Sequence, residues 1–299
     1  MKPFSFAVVC LLPAALLAAN PFAGRWDLNV KTSNATFPDW LEVVDNGGAM
    51  QVRYQPRGGS VRPIKDAKIE GDHLILTLGP NIWDLTVSGD QISGVQKAGA
   101  RETAQVTGVR APKLDRARPT KWVKPVPLFN GKDLTGWEPD RPEPSWNHWV
   151  VKDGELINES AGANLRSTRK FDDFILHVEL NCPQNGNSGV YLRGRYEMQV
   201  EYENTPEDLF HCMGSIYGMV PVSRELPKMP GQWENFDVTL IGRHVTVVRN
   251  GIKIIDDQEI AGITGGAIDS NEGDPGVFYL QGDHTGGMKF RNIMISVPK

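Results

Sequence analysis

Short runs of alternating apolar and polar residues, separated by turn residues, recur along almost the whole chain after its first twenty residues. In His73–Leu78 and in Phe174–Leu180 every second residue is apolar. Alternation with period two is the pattern of a β-strand with one buried face, and closely spaced turns are typical of antiparallel strands. The 31 glycines and 21 prolines among the 299 residues supply many turns, and we find no long helical pattern. The sequence therefore predicts an all-β protein.

Residues 20–110 are predicted to form a small antiparallel β-domain of the barrel type. Strand-like runs such as Trp83–Val87 alternate with turn signals such as Asn46-Gly47-Gly48 and Arg57-Gly58-Gly59. The opening Gly24-Arg25-Trp26 resembles the Gly-x-Trp motif at the start of lipocalin-like barrels. A barrel of about ninety residues is filled by side chains or holds a small ligand at most. Because titratable residues do not cluster in this segment, we expect an accessory domain.

Residues 111–125 separate this domain from the rest of the chain. They contain Pro112, Pro119 and Pro125 among several lysines and arginines. Proline stiffens a chain and charge keeps it solvated, so we expect a linker. Residues 126–298 return to the strand pattern, with Asn250-Gly251 as a hairpin signal. Roughly a dozen strands without a helical pattern predict a two-sheet jelly-roll β-sandwich.

Residues 1–19 have the features of a secretory signal peptide. Lys2 is followed by the apolar run Phe4–Leu17 and by the small residues Ala18 and Ala19. An uncleaved membrane anchor is the alternative, but the run is shorter than the ~20 residues that a membrane span needs. We therefore expect an exported protein, periplasmic or extracellular, whose mature chain has no integral membrane segment.

Cysteine and acidic residues give little support for a metal site. Cys182 and Cys212 remain after the predicted cleavage, and either a disulfide or two buried free thiols fits this isolated pair. Neither a CxxC nor an HExxH motif occurs, so we predict no metal ligands. The segment Asp269–Asp274 lacks the spacing of a calcium loop, and a plain acidic turn is the better interpretation. No cofactor is evident; a divalent cation is compatible with the sequence but has no motif to support it.

The charge balance argues against a nucleic-acid-binding protein. The 36 acidic residues exceed the 32 lysines and arginines, which gives a formal net charge of -4. Affinity for nucleic acid comes largely from neutralising phosphates, which needs the opposite balance. We therefore expect no nucleic-acid partner.

The 8 tryptophans can fill large cores or provide platforms on which sugars stack.

Polar side chains are concentrated on what alternation predicts to be one face of three consecutive strands. That face carries His177, Glu179, Tyr191, Arg193, Arg195, Glu197, Gln199 and Glu201, next to the Gly-rich turn Asn185–Gly189. A solvated outer face is the simple alternative, because antiparallel sheets often expose one side. Carboxylates, an arginine, an asparagine and a histidine on one sheet, however, resemble a sugar-processing cleft.

Spacing limits which carboxylates can act together. Glu197 and Glu201 are four residues apart on one strand, so their Cα atoms lie about 13 Å apart, too far to flank one glycosidic bond. Glu179 and Glu197, on neighbouring strands, would be closer if the register allows it. Such a pair would raise one of the two pKa values and so provide an acid and a base.

Several motifs of residues 126–298 resemble, in order, those of the 3-keto-disaccharide hydrolase domain family. The segment Leu128–Trp137 is similar to the family's opening signature. The later matches are Trp149–Leu156, Asn187–Arg193, Tyr196–Gln199, Trp233–Phe236, Val248–Gly251, Leu280–His284 and Phe290–Ile293. The resemblance implies a concanavalin-like jelly roll that acts on glycosides already oxidised at C3. The family often has an aspartate soon after the Tyr-Glu-x-Gln motif, where this chain has Glu201 and Glu203, so the role of that acid stays open.

The implied substrate indicates which groups a site would need. A ketone at C3 acidifies the C2 proton, so a base can remove it, an enolate forms, the C1 substituent leaves and water adds. We expect Glu179 or Glu197 to be the base and His284 to donate the proton, although His284 is also compatible with a structural loop histidine. The expected substrate-binding residues are Asn187, Tyr191, Arg193, Gln199, Glu201 and Gln281, with Asn187 and Arg193 on the enolate.

The predicted function is thus an exported, carbohydrate-active enzyme that cleaves 3-keto-glycosides or 3-keto-disaccharides by elimination and hydration. A non-catalytic, lectin-like carbohydrate-binding module is the alternative, and it would need a shallow groove with exposed aromatic residues. Laminarinase-type hydrolysis is a weaker alternative, because Glu197-x-Gln199-x-Glu201 lacks the dense Glu-x-Asp-x-x-Glu arrangement.

Overall fold

The computed structural model describes residues 20–47, 49–202 and 208–299, and this part of the chain is almost entirely β-structure. Its one helical element is the 3-10 turn Pro144–Trp146. The predicted all-β class is therefore confirmed. The predicted signal peptide, residues 1–19, lies outside the described residues, as does Glu203. No helix in the described ranges is long and apolar enough to cross a membrane.

Nine antiparallel strands form one sheet between Gly24 and Arg110. They are β1 (Gly24–Lys31), β2 (Thr36–Asp45), β3 (Met50–Gln55), β4 (Arg62–Ile64), β5 (Ala67–Glu70), β6 (His73–Leu78), β7 (Asn81–Ser88), β8 (Gln91–Ala98) and β9 (Arg101–Arg110). Their order in the sheet is β4-β3-β2-β1-β9-β8-β7-β6-β5. The edge strands β4 and β5 are joined by Lys65 and Asp66 alone, so the sheet must curl into a barrel with a seam between its edges.

The Gly-x-Trp motif of β1 packs into the barrel. Trp26 is fully buried in the barrel core, and the Arg110 guanidinium stacks over its ring at 4.2 Å. Gly24 makes room for that arginine, because a β-carbon at this position would lie 2.6 Å from Arg110 Nη1. The tryptophan of the Gly-x-Trp motif thus belongs to the core of the barrel.

The rest of the chain forms two antiparallel sheets that pack face to face. The larger sheet contains β10 (Val126–Pro127), β12 (Trp149–Lys152), β13 (Glu155–Asn158), β15 (Phe174–Asn181), β18 (Trp233–Ile241), β19 (His244–Arg249), β20 (Ile252–Glu259) and β22 (Met288–Ser296). The smaller sheet contains β11 (Trp137–Pro139), β14 (Leu165–Phe171), β16 (Asn187–Leu192), β17 (Tyr196–Glu201) and β21 (Gly276–Leu280), in the order β11-β14-β21-β16-β17. The predicted jelly-roll sandwich is confirmed.

The main apolar core lies between the two sheets. Phe174, Leu176 and Val178 of β15 contribute to it from the larger sheet, and Val190 and Met198 contribute from β16 and β17 of the smaller sheet. Because side chains alternate along a strand, the residues between these point away from the core. On the smaller sheet these outward residues form the candidate site.

The barrel packs closely against the sandwich. Trp40 of β2 is buried in the sandwich core, and its Cδ1 lies 2.5 Å from where a β-carbon of Gly262 would be. A β-carbon at Gly265 would lie 2.9 Å from the backbone nitrogen of Gly59. Side chains at positions 262 and 265 would therefore push the two parts of the protein apart.

Residues 111–125 contain no regular strand, only an isolated bridge between Trp122 and Pro298. Arg116 ties this segment to the sandwich through ion pairs with Asp172 at 2.7 Å and Asp173 at 2.9 Å. Cys182 and Cys212 are buried and not joined to each other. Burial raises the pKa of Cys182 to about 12, so its thiol stays protonated and unreactive.

Candidate active site

A polar cleft of about 420 Å³ opens on the face of the smaller sheet that points away from the core. The register of β16 and β17 places Tyr191 opposite Glu197. The floor consists of outward residues of three neighbouring strands. They are Asn187 and Tyr191 of β16, Glu197 and Gln199 of β17, Tyr279 of β21, and Gln281, which directly follows β21. The cleft volume lies in the range of small-molecule sites. The structure therefore brings together six polar residues on one surface.

Glu197 is the buried carboxyl group on this floor, with 5% of its surface exposed. Burial raises its pKa to about 8, while a hydrogen bond with Tyr191 and the charge of His284 act in the opposite direction. A carboxyl group with this pKa is mostly protonated at pH 7 and can donate a proton there.

Tyr191 links the floor of the cleft to one of its walls. Its side chain is fully buried, and its hydroxyl donates a hydrogen bond to the Gly265 carbonyl oxygen at 2.8 Å. Burial and the neighbouring Glu197 raise the pKa of Tyr191 well above its ordinary value. The hydroxyl therefore stays neutral over the physiological range.

Asp283 and His284 form a hydrogen-bonded pair at the edge of the cleft. His284 Nδ1 lies 2.7 Å from Asp283 Oδ1, and the imidazole is half exposed. The hydrogen bond with His284 lowers the pKa of Asp283, so this carboxylate stays ionised. A carboxylate on Nδ1 fixes the tautomer in which Nε2 is the basic atom. This pair has the arrangement of a general base and its orienting carboxylate.

The side chains of two glutamines on the floor each have a buried amide oxygen without a hydrogen-bond donor among the described residues. Gln199 is 4% exposed and Gln281 is 9% exposed. Within the described part of the chain, neither Oε1 atom accepts a hydrogen bond. Buried polar atoms without a partner cost free energy, and such atoms in a cleft are typical of a site that receives donors from a ligand. Sugar hydroxyls are donors of this kind.

Several lining residues were missed from the sequence. Tyr279 packs edge-on against the Tyr191 ring at 5.0 Å between centroids, and it stands two positions before Gln281, so alternation alone would have identified it. Asp283 stood inside the matched motif Leu280–His284. His211 and Tyr217 come from a segment without periodicity, and no sequence signal marked them.

The barrel also reaches the cleft, so residues 20–110, which we expect to be an accessory domain, contribute to its lining. Arg57, Gly58 and Gly59, in the loop between β3 and β4, line it together with sandwich residues. The sequence showed these residues only as a turn, because their position against the sandwich depends on contacts between distant parts of the chain.

Glu179 does not belong to the cleft, and the predicted acid–base pair of Glu179 and Glu197 is wrong. Glu179 lies on the outer face of the larger sheet, where Arg291 Nε and Asn292 Nδ2 each donate a hydrogen bond of 2.6 Å. Burial opposes its ionisation, but these two hydrogen bonds outweigh burial and lower its pKa. The reason for the error is topological: β15 and β17 lie in different sheets, because the chain crosses between the sheets after β15.

Arg193 and Glu201 also do not line the cleft. Arg193 lies in the turn after β16 with a φ of 54°, which removes it from the strand alternation. Its buried guanidinium donates to Asp172 at 3.2 Å and to the Tyr196 hydroxyl at 3.0 Å. Glu201 is buried at the far end of β17, opposite Asn187. Their predicted contacts with substrate are therefore corrected.

In residues 20–47, 49–202 and 208–299 no group of three or more His, Cys, Asp or Glu side chains is arranged to hold a metal ion. The acidic segment Asp269–Asp274 makes ion pairs instead. Asp269 pairs with Arg195 at 2.6 Å, and Glu272 pairs with Arg243 at 2.6 Å.

Comparisons with known proteins bear on the sandwich. One similar solved structure is a candidate glycosyl hydrolase from Parabacteroides distasonis, with 30% identity and a TM-score of 0.48, covering 57% of this chain and 82% of that one. A second candidate glycosyl hydrolase from the same organism has 20% identity and a TM-score of 0.47, covering 57% and 92%. A carbohydrate-binding module from Bacillus subtilis has 13% identity and a TM-score of 0.36, covering 55% and 97%.

No curated protein matches the sequence. Residues 124–296, more than half of the chain, match the family described as the 3-keto-alpha-glucoside-1,2-lyase-like domain. The chain therefore belongs to this family of carbohydrate-active enzymes.

Proposed function

We propose that the cleft cleaves glycosides that carry a ketone at C3. The observation that carries this proposal is the pairing of a buried, protonated carboxyl group, Glu197, with the Asp283–His284 couple at the edge of the same cleft. Elimination across C1 and C2 needs a base for the C2 proton and an acid for the leaving group. The cleft holds one group suited to each task.

The proposed roles reverse those expected from the sequence. His284, oriented by Asp283, takes the C2 proton, and the electrons of the C–H bond form an enolate with the C3 ketone. The enolate then expels the C1 substituent, whose oxygen takes the proton of Glu197, and a double bond remains between C1 and C2. Water adds its hydroxyl to C1 and its hydrogen to C2, so that glycoside and water give a 3-keto sugar and an alcohol.

The amide side chains of the floor are proposed to hold the sugar. The Oε1 atoms of Gln199 and Gln281 accept hydrogen bonds from ring hydroxyls, which satisfies two buried acceptors. Asn187, on the same floor, supplies a further polar contact. Such contacts position C2 near the base, and positioning is a large part of catalysis.

A non-catalytic binding module is supported less well. A lectin-like site would use exposed aromatic rings on a shallow surface. The two tyrosines on the floor, Tyr191 and Tyr279, are buried, and a buried carboxyl group lies beside them. Both features favour chemistry over simple stacking.

The test is to incubate the protein with a 3-keto-disaccharide and measure the release of monosaccharide. We expect turnover by the wild type and a loss of about 10²- to 10⁴-fold in Glu197→Gln. Glu179→Gln is the matched control, because it makes the same chemical change outside the cleft, and it should keep wild-type turnover. Tight binding without any release would favour the binding module and contradict the proposal.

We also propose that the protein is exported. The support is the pattern of residues 1–19, with a basic start, an apolar run and small residues at the end. N-terminal sequencing of the protein from its native cell should begin at Asn20. A mature protein that begins at Met1 would contradict export by cleavage.

A further inference from the structure

The loop between β3 and β4 is fastened to the wall of the cleft by several contacts. The backbone nitrogen of Gly266 donates to the Arg57 carbonyl oxygen at 2.7 Å. Ser60 Oγ lies 2.6 Å from His211 Nε2, and Gly59 lies so close to Gly265 that no side chain would fit at Gly265. The loop is therefore a fixed part of the cleft.

Arg57 is the arginine of this wall, and its guanidinium group is held by an aromatic ring. The group stacks over the Phe37 ring at 4.2 Å from its centroid. Among the described residues, no carboxylate lies within ion-pair distance of it, and no other lysine or arginine lines the cleft. A stacked arginine keeps its hydrogen-bond donors for a partner in its own plane, and a carboxylate is the partner that matches this fork.

The carboxyl groups of the cleft form no ion pair with Arg57. Glu197 is kept protonated by burial near neutral pH. Asp283 is already hydrogen-bonded to His284. The charge of Arg57 acts to lower the pKa of Asp39, but the two side chains form no ion pair, so a ligand that enters the cleft meets a guanidinium group that no carboxylate among the described residues contacts.

Arg57 does not lie directly beside the place where the reacting sugar ring would bind. The Tyr191 hydroxyl binds Gly265, and the next residue, Gly266, binds the Arg57 backbone. One loop thus lies between Arg57 and the pair of Tyr191 and Glu197 on the floor. A sugar placed over Glu197 would extend its C1 substituent toward a wall of the cleft. The wall formed by the loop between β3 and β4 contains Arg57.

We propose that Arg57, supplied by the N-terminal barrel, makes the cleft selective for 3-keto-glycosides whose leaving group bears a carboxylate. The proposal rests on the proposed function, and it gives the barrel a direct part in substrate choice. Arg57 is a specificity-determining residue at the leaving-group end, opposite in charge to the substrate that it selects.

The test compares two substrates, the 3-keto-glucosides of 4-hydroxybenzoate and of 4-hydroxybenzamide, which differ in charge but little in shape. The full-length wild type should prefer the carboxylate by about tenfold in kcat/KM, mainly through KM, and the preference should shrink with added salt. Arg57→Gln should remove the preference and Arg57→Lys should retain part of it. Arg62→Gln is the control, because Arg62 also stacks on an aromatic ring, Tyr54, but does not line the cleft.

Equal kcat/KM values for the two substrates in the wild type, or a preference that survives in Arg57→Gln, would overturn this proposal. If the wild type cleaves neither substrate, the proposed function fails instead. In that case equilibrium binding of the same two compounds still tests Arg57: tighter binding of the carboxylate by wild type but not by Arg57→Gln supports its role, and equal binding contradicts it.

Discussion

Gly189 lies beneath the carboxyl group of Glu197, so closely that a β-carbon at position 189 would stand 2.8 Å from Glu197 Cγ and nearer still to Oε1. The two residues are diagonal neighbours on β16 and β17, because Tyr191 is the residue directly opposite Glu197. The glycine of the Asn187-Ser188-Gly189 run therefore leaves the space in which the proposed acid sits.

Replacing this glycine should displace the acid. We expect Gly189→Ala to lower turnover of a 3-keto-disaccharide by about 10²-fold, because a shift of one ångström in a catalytic group has effects of this size. Gly273→Ala is the control, since a β-carbon there meets only Pro112 at 3.7 Å. A folded Gly189→Ala protein with wild-type turnover would show that the position of Glu197 is unimportant.

The buried carboxyl group should make stability depend on pH with a defined sign. Glu197 has a pKa of about 8 in the folded protein against 4.5 ordinarily, so its contribution to stability is complete below pH 4.5 and is lost as the pH rises to about 8. Glu197→Gln cannot ionise, so its stability relative to wild type should rise through this window, by on the order of a few kcal/mol at pH 9.

Urea unfolding at pH 4.5, 7 and 9 measures this difference. Glu179→Gln should behave in the opposite way, because the pKa of Glu179 is lowered and its ionised form stabilises the fold. Its stability should lie below that of wild type by the same amount at pH 7 and pH 9, because the contribution of ionised Glu179 is lost only as the pH falls below about 4.5. A Glu197→Gln protein that follows the same trend as Glu179→Gln would contradict a protonated Glu197.

Tyr191 should tune the acid. When Glu197 ionises, the Tyr191 hydroxyl can turn its one proton from the Gly265 carbonyl to the carboxylate; this hydrogen bond lowers the pKa of Glu197, so Tyr191→Phe should raise that pKa above about 8. The alkaline fall of kcat/KM, where the acid loses its proton, should then move to higher pH. Tyr279→Phe is the control, because the Tyr279 hydroxyl faces Asp140 at 3.4 Å instead. An alkaline limb at the same pH in both variants would remove Glu197 as its source.

A second buried carboxyl group lies where the barrel meets the segment Asp269–Asp274. Burial, and to a smaller extent the charge of Glu272, raises the pKa of Asp27 well above its ordinary value. The charges of Arg243 and Arg195 act in the opposite direction but do not outweigh burial. Its contribution to stability is therefore lost as the pH rises above about 4. Asp27→Asn should unfold at higher urea concentration than wild type at pH 9 and at a similar concentration at pH 4. The exposed Asp90→Asn is the control, and an Asp27→Asn variant that matches it would contradict this account.

The strands and the core were predictable because they follow from local alternation. Phe174, Leu176 and Val178 point into the core as the period-two pattern requires. Asn250 and Gly251, with φ values of 50° and 76°, form the tight turn that their types indicate. The side chains of β16 and β17 also share a face as expected, because a short turn forces these strands to be neighbours.

The incorrect predictions concern residues whose position in the fold depends on contacts between parts of the chain that are far apart in sequence. Alternation predicts that Glu179 and Glu197 lie near each other only if consecutive strands are neighbours, whereas β15 belongs to the other sheet. Arg193 left the predicted face because a left-handed turn residue breaks the alternation. Arg57 was seen only as part of a turn, since nothing local indicates that the barrel docks against the cleft.

The measurement that tests the central claim most directly is cleavage of a 3-keto-disaccharide in D₂O, with the isotope at C2 of the released 3-keto sugar read by NMR or mass spectrometry. Elimination followed by hydration predicts one deuterium at C2, incorporated at the rate of cleavage and faster than exchange into the same sugar incubated without protein. Release of a sugar that keeps its original hydrogen at C2 would show direct displacement at C1 and would contradict the mechanism.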